Sequence, residues 1–244
     1  MAQIASLRTE ALDHLARHSA IWRGSDLARV GAPSVATGFP ELDAELPGGG
    51  WPAGALTEIL PAHEGIGELR ILGPALASLS AKGCHLAWIA PPHLPYAPAL
   101  AAAGIDLAQL LVVKTRSAKE TLWATEQALR SHACGAVLAW PQLVRYPELR
   151  RLAIAAEGGR SLVLLFREPR AANESSPAAL RIALAAANGG LAVHILKRRG
   201  GPLDRPVLLP PVGRSIETGR HHVVDRRSPA ATAARNVPVR LAHV

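Results

Sequence analysis

Thr37-Gly-Phe-Pro-Glu-Leu-Asp-Ala-Glu-Leu-Pro-Gly-Gly-Gly-Trp51-Pro-Ala-Gly-Ala-Leu-Thr-Glu-Ile-Leu60 closes on a short apolar run. It leads directly into Pro61-Ala-His-Glu-Gly65-Ile-Gly67-Glu68-Leu69-Arg70. A strand followed by a glycine-bearing turn and a helix is the setting of a phosphate-binding loop, whose working residues are Gly-Lys-Ser/Thr. Here an acid stands where the phosphate-neutralising lysine belongs. The approach to such a site is present without its working part.

Outward from this stretch the chain alternates strand and helix signals. Ala55 to Leu60 reads as a strand, Leu69 to Lys82 as a helix, His85 to Ala90 as a strand and Tyr96 to Ala103 as a helix ended by Gly104. Leu110 to Val113 is the next strand, and Ser117-Ala-Lys-Glu120 has the spacing of a capping box opening a helix to about His132. Ala136 to Trp140 is a strand, Tyr146 to Ala156 a helix, and Ser161 to Phe166 a nearly pure aliphatic strand. Ser176-Pro177 offers an N-cap and first-turn proline for a helix ending near Asn188-Gly189, before strands at Leu191 to Leu196 and Pro206 to Leu209. Strands alternating with helices of this length predict an α/β fold: a mainly parallel sheet with helices on both faces. Beyond Pro211 only Val237 to Leu241 has the character of a short strand.

The 244 residues are enough for one α/β domain, able to bury roughly 70% of its unfolded surface. Hydrophobic residues make up 49% and aromatics only 4%, so the apolar mass is aliphatic, as helices packed on a parallel sheet require. No apolar run has the length of a membrane span and the first residues lack the apolar core of a signal peptide, so a cytoplasmic protein without a membrane partner is expected. Cys84 and Cys134 fall in apolar elements without metal-ligand spacing and read as buried small hydrophobes; no metal or cofactor is expected. Adjacent His221 and His222 have no further ligands nearby. No serine lies in a Gly-x-Ser-x-Gly turn, so a nucleophilic triad is not readable.

The net charge of +8 is concentrated at one end: from Lys197 onward there are ten Lys/Arg against three acids. That region, rich in Pro, Gly, Ser and Thr, reads as an extended basic arm. Lys197, Arg198, Arg199, Arg226 and Arg227 are its candidates for contacting DNA or an acidic partner. At the other end, Ile4, Leu7, Ala11 and Leu15 recur at intervals of three, four and four and form one apolar helix face, a candidate surface for a partner or a second copy of the chain. The expected organisation is an N-terminal amphipathic helix and connector over 1–34, an α/β core over 35–211, and the basic arm, without stable structure apart from the short strand, over 212–244.

These pieces resemble a known family. Thr37-Gly-Phe, Leu42-Asp43, Gly48-Gly49-Gly50-Trp51-Pro52, Gly54 and Glu58-Ile59 are similar to the segment preceding the P-loop in the RecA family. Leu100-Ala-Ala-Ala-Gly104-Ile-Asp106-Leu and Leu110-Leu111 resemble its next helix and strand, and Asn173-Glu-Ser-Ser-Pro-Ala-Ala-Leu180 its mobile DNA-facing loop and the helix after it. The resemblance covers residues 35 to about 200 and implies a RecA-like core. An ATPase of that class needs a P-loop lysine and hydroxyl, a metal-binding acid ending a central strand, and a carboxylate that orients water. The corresponding positions hold Gly67, Glu68 and Leu69 after Gly65, then Trp140, and a site at or beside Pro92, which implies a degenerate nucleotide site and no enzymatic activity.

Ile21-Trp-Arg-Gly, Leu46-Pro-Gly-Gly-Gly-Trp-Pro and Gly65-Ile-Gly-Glu-Leu-Arg70 resemble the ImuA family in particular. That resemblance implies an accessory factor of SOS-induced translesion synthesis acting with ImuB, RecA and an error-prone replicative-type DNA polymerase. The alternatives are a degenerate nucleotide-responsive DNA-binding or recombinase-modulating protein and, further off, a SulA-like inhibitor of cell division.

Overall fold

A computed structural model describes residues 33–187, 190–210 and 241–243. The N-terminal helix face Ile4, Leu7, Ala11 and Leu15, and Arg226 and Arg227 of the arm, lie outside these residues.

Two short strands, β1 (Ser34–Val35) and β2 (Trp51–Pro52), pair antiparallel around the opening stretch. Between them the helical turn α1 (Pro40–Asp43) is anchored by its own side chains: the Thr37 amide donates to Asp43 Oδ1 at 2.8 Å, and the Phe39 amide to Thr37 Oγ1 at 3.0 Å. Gly50 is needed here because a Cβ would lie 2.3 Å from the Val35 carbonyl oxygen. The Thr-Gly-Phe…Leu-Asp pattern is therefore a structural knot that buries Trp51 completely.

The main sheet has nine strands in the order β10-β9-β8-β3-β7-β6-β4-β5-β11. They are β3 (Leu56–Pro61), β4 (His85–Ile89), β5 (Leu110–Lys114), β6 (Cys134–Ala139), β7 (Leu162–Phe166), β8 (Leu180–Ala187), β9 (Gly190–Lys197), β10 (Val207–Leu209) and β11 (Leu241–His243). Pairing is parallel from β8 across to β11; β8–β9 and β9–β10 are antiparallel. Strand alternation divides the core into two layers. Ala136, Leu138, Leu162 and Leu164 face a layer with α2 (Gly73–Ala81), and Val137, Ala139, Val163 and Leu165 face one with α4 (Ala118–Arg130) and α5 (Tyr146–Ala156). The short α3 (Ala97–Ala102) lies before β5. This is the α/β fold expected, with helices on both faces.

Two expected elements differ. The helix expected over Ser176 to Asn188 is strand β8. Its alanines favour helix, but Leu180, Ile182 and Leu184 alternate into one layer while the segment fills the slot between β3 and β9, and sheet pairing overrides local propensity. Ser176 Oγ does accept the Ala178 amide at 3.1 Å, closing a turn and not a helix. The helix expected from Leu69 starts at Gly73, since Pro74 is tolerated in a first turn but would break a helix already under way. Elsewhere, Ser117 caps α4 by accepting the Glu120 amide at 3.2 Å, while Glu120 reaches back to the Arg116 amide at 2.7 Å. Beyond residue 210 the described strand is β11, which begins at Leu241, the last residue of the short strand expected there.

Candidate functional site: the C-terminal ends of the parallel strands

The loops following β3, β4, β6 and β7 gather at one edge of the sheet, where open α/β sheets bind ligands. There Glu68, Pro92 and Trp140, singled out from three separate strands, line one cleft of about 310 Å³ together with His63, Glu64, Phe166, Arg167 and Glu168.

The loop after β3 curls so that its amides point inward, with Gly65 at φ 76° and Gly67 at φ 111°, backbone that glycine adopts without strain. The ligand of this cradle is the chain itself. Glu68 Oε1 accepts the Gly65 amide at 3.1 Å, and Oε2 accepts the Gly67 amide at 3.0 Å. A concave set of backbone donors that would otherwise attract an anion already holds a carboxylate. Leu69, at the position of the hydroxyl, packs against the first core layer.

Pro92 and Trp140 bring no carboxylate to the cleft. Trp140 stacks on Phe166 with centroids 4.5 Å apart and planes 3° from parallel, and meets Trp88 at 5.8 Å. Directly after β6, it packs between Trp88 of β4 and Phe166 of β7. The turn after β4 carries Ala90 at φ 52°, then Pro91 and the exposed Pro92. His93 Nε2 lies 3.3 Å from Glu64 Oε2 across the mouth. The cleft is rich in carboxylates, and its arginine, Arg167, is engaged by Glu58 and Glu174.

That engagement belongs to a buried ion cluster that sequence reasoning did not single out. Glu58, fully buried on β3, accepts from Arg167 Nη1 at 3.1 Å and from Arg181 Nε at 2.6 Å. Arg181 stands opposite Glu58 in the β3–β8 register and also donates to the Ala171 and Glu174 carbonyls. Arg167 bonds Glu174 Oε2 at 2.7 Å. The loop after β7, including the 3-10 turn Pro169–Asn173, is thereby fastened over β3 and β8. The readable signal was a charge inside each of two apolar runs, Leu-Thr-Glu-Ile-Leu and Leu-Arg-Ile-Ala-Leu.

Of the basic cluster beside β9, Lys197 Nζ donates to the Ser176 carbonyl at 2.9 Å, and Arg198 donates to the carbonyl and carboxylate of Glu45. Arg199 is exposed. Cys84 and Cys134 are half-buried free thiols, and burial pushes the Cys134 thiol up. Among the described residues no group of three or more His, Cys, Asp or Glu is placed to hold a metal, and no helix is long and apolar enough to cross a membrane.

The α/β fold with its mainly parallel sheet, taken with the similarity to RecA, fits a RecA-like core. No family model matches the chain. Over 143 residues it is 31% identical to the protein ImuA of Caulobacter vibrioides, spanning 56% of this chain and 59% of that protein. It is 34% identical over 97 residues to the cell division inhibitor SulA of Edwardsiella piscicida, spanning 40% of this chain and 58% of SulA. Over 118 residues it is 31% identical to RecA of Crocosphaera subtropica, spanning 48% of this chain and 33% of RecA. The chain thus spans under two thirds of the length of these relatives. The similarities support an ImuA-like or RecA/SulA-like family.

Proposed function

We propose that this protein is a non-catalytic RecA-like adaptor of damage-induced translesion synthesis, working with ImuB, RecA and an error-prone replicative-type polymerase. One observation carries the non-catalytic part: the Glu68 carboxylate occupies the amide cradle after β3. A phosphate entering there would have to displace both of these charge-assisted hydrogen bonds. It would also stand beside a negative charge, and one unit charge at 4 Å costs about 4 kcal/mol at a surface dielectric. Trp140 leaves the metal position without a ligand that could offset this. The similarity to ImuA supports the damage-response part.

Titration calorimetry with Mg-ATP and a phosphate-release assay test the first part. No binding and no turnover are expected; micromolar binding or hydrolysis overturns it. Co-purification with ImuB, RecA and the polymerase tests the second, and failure to retain any of them removes the adaptor reading. The 34% identity to SulA favours, as a second reading, inhibition of cell division, which predicts filamentous cells on overexpression.

A further inference from the structure

A groove of about 1130 Å³ runs between the first turns of α4 and α5 and shares no lining residue with the cleft around Glu68. Three large apolar side chains stand in it unburied: Trp123 is 49% exposed, Leu143 69% and Tyr146 46%. Trp123 lies on α4, which is seated on the core through Leu122, Ala124 and Leu129, so its exposure is not that of a loosely packed helix. Leu143 and Tyr146 bracket the entry to α5, where the backbone is fixed by Glu148 accepting the Arg145 amide at 2.7 Å. The groove is thus a recess with aromatic and aliphatic lining.

Its lining carries more positive than negative charge: Lys119, Arg145 and Arg151 stand against Glu148 and Glu174. Arg151 shares the single carboxylate of Glu126 with Arg130, at 2.5 and 2.8 Å, so one positive charge of that trio is uncompensated. Of the acids lining the same groove, Glu174 is paired with Arg167, while Glu148 accepts the Arg145 amide and keeps its negative charge, which leaves the lining with a net positive balance. Apolar anchors beside a net positive lining complement a segment carrying apolar side chains flanked by carboxylates.

We propose that the α4–α5 groove is a docking site for an acidic peptide segment of a partner protein, whose apolar side chains seat against Trp123, Leu143 and Tyr146 while its carboxylates meet Lys119 and Arg145. The aliphatic wall of Leu122, Leu143 and Val144 facing the two rings suits side chains better than a series of stacked bases. The site is separate from the nucleotide-site reading, and stands or falls without it.

The test pans a phage-displayed random peptide library on the full chain, with counter-selection on the Trp123→Ala variant and folding of each variant checked by circular dichroism. Enriched peptides carrying Asp or Glu around Leu, Phe or Trp are expected. In anisotropy titrations such a peptide should bind at least about tenfold more weakly to Trp123→Ala and to Tyr146→Ala. The Lys119→Glu, Arg145→Glu double variant should likewise weaken it about tenfold, and favour the same peptide with lysines in place of its acids. The absence of Trp123-dependent clones overturns the proposal, as do enriched clones without acids. Trp123-dependent binding of oligo-dT in place of the peptide would assign the groove to nucleic acid and equally overturn it.

Discussion

Glu68 in the loop after β3 and Glu58 within β3, which fastens the loop after β7, are two glutamates that do opposite things. Glu68 is partly exposed and bonds only to amides of its own loop, at 3.1 and 3.0 Å. Glu58 is fully buried and bridges Arg167 and Arg181, which reach it across 109 and 123 residues of chain. The first carboxylate fills a recess that the backbone would form without it. The second joins two arginines that in turn hold the loop after β7, and those arginines are themselves nearly buried at 7% and 8% exposure. The contrast predicts that Glu68 is locally replaceable, whereas the cluster centred on Glu58, which shares Arg167 with the cleft, is a structural fastening.

The sharpest way to break this contrast is Glu58→Ala, which strands two buried guanidinium groups. A loss of about 3–5 kcal/mol is expected in urea denaturation, with faster amide exchange at Ala171 and Glu174. A loss below about 1 kcal/mol would put Glu58 on the same footing as Glu68. Replacing the whole cluster, with Glu58→Leu, Arg167→Leu and Arg181→Met together, should recover most of that loss, because no buried charge then remains unpaired. Calorimetric melting of the triple variant against Glu58→Ala measures the recovery.

Trp140→Ala removes the Phe166 stack and should cost about 2 kcal/mol, between a full core truncation and loss of the stacking contact alone. Equal melting temperatures would mean that Trp140 contributes no packing to the end of β6. The smallest effect belongs to Glu68→Ala, expected to change stability by less than about 1 kcal/mol while leaving the Gly65 and Gly67 amides open to an anion. Inorganic phosphate should then bind the variant and not the parent in a titration followed by amide chemical shifts; identical shifts in both would detach the empty cradle from the carboxylate.

Much of the fold was legible because each signal was local. The run Leu162 to Phe166 could only be a buried strand, and Tyr146 to Ala156 matches its helix end to end. Leu180 to Ala187 was misread because alanine-rich sequence favours helix, and the alternation of Leu180, Ile182 and Leu184 gains meaning only beside β3 and β9. The unusual chemistry of Glu68, Pro92 and Trp140 was visible as residue types, and the structure gathers them into one cleft. That Glu68 would turn back onto its own loop was not visible, since it depends on the positive φ angles of Gly65 and Gly67. The Glu58 cluster escaped for a different reason: its members touch only after the sheet has assembled.

The pairing of β11 with β5 bears on how the basic arm can be studied. A strand at a sheet margin without a neighbour presents a ladder of open amide and carbonyl groups that other chains can join. Deleting everything after residue 210 would remove the arm's positive charge and at the same time uncover β5 along its outer side. A truncated protein that clumps, or that retains new companions on a column, would then be reporting a sticky margin and not a lost DNA contact. Replacing Arg226 and Arg227 with glutamine, with Leu241–His243 left in place, separates the two effects.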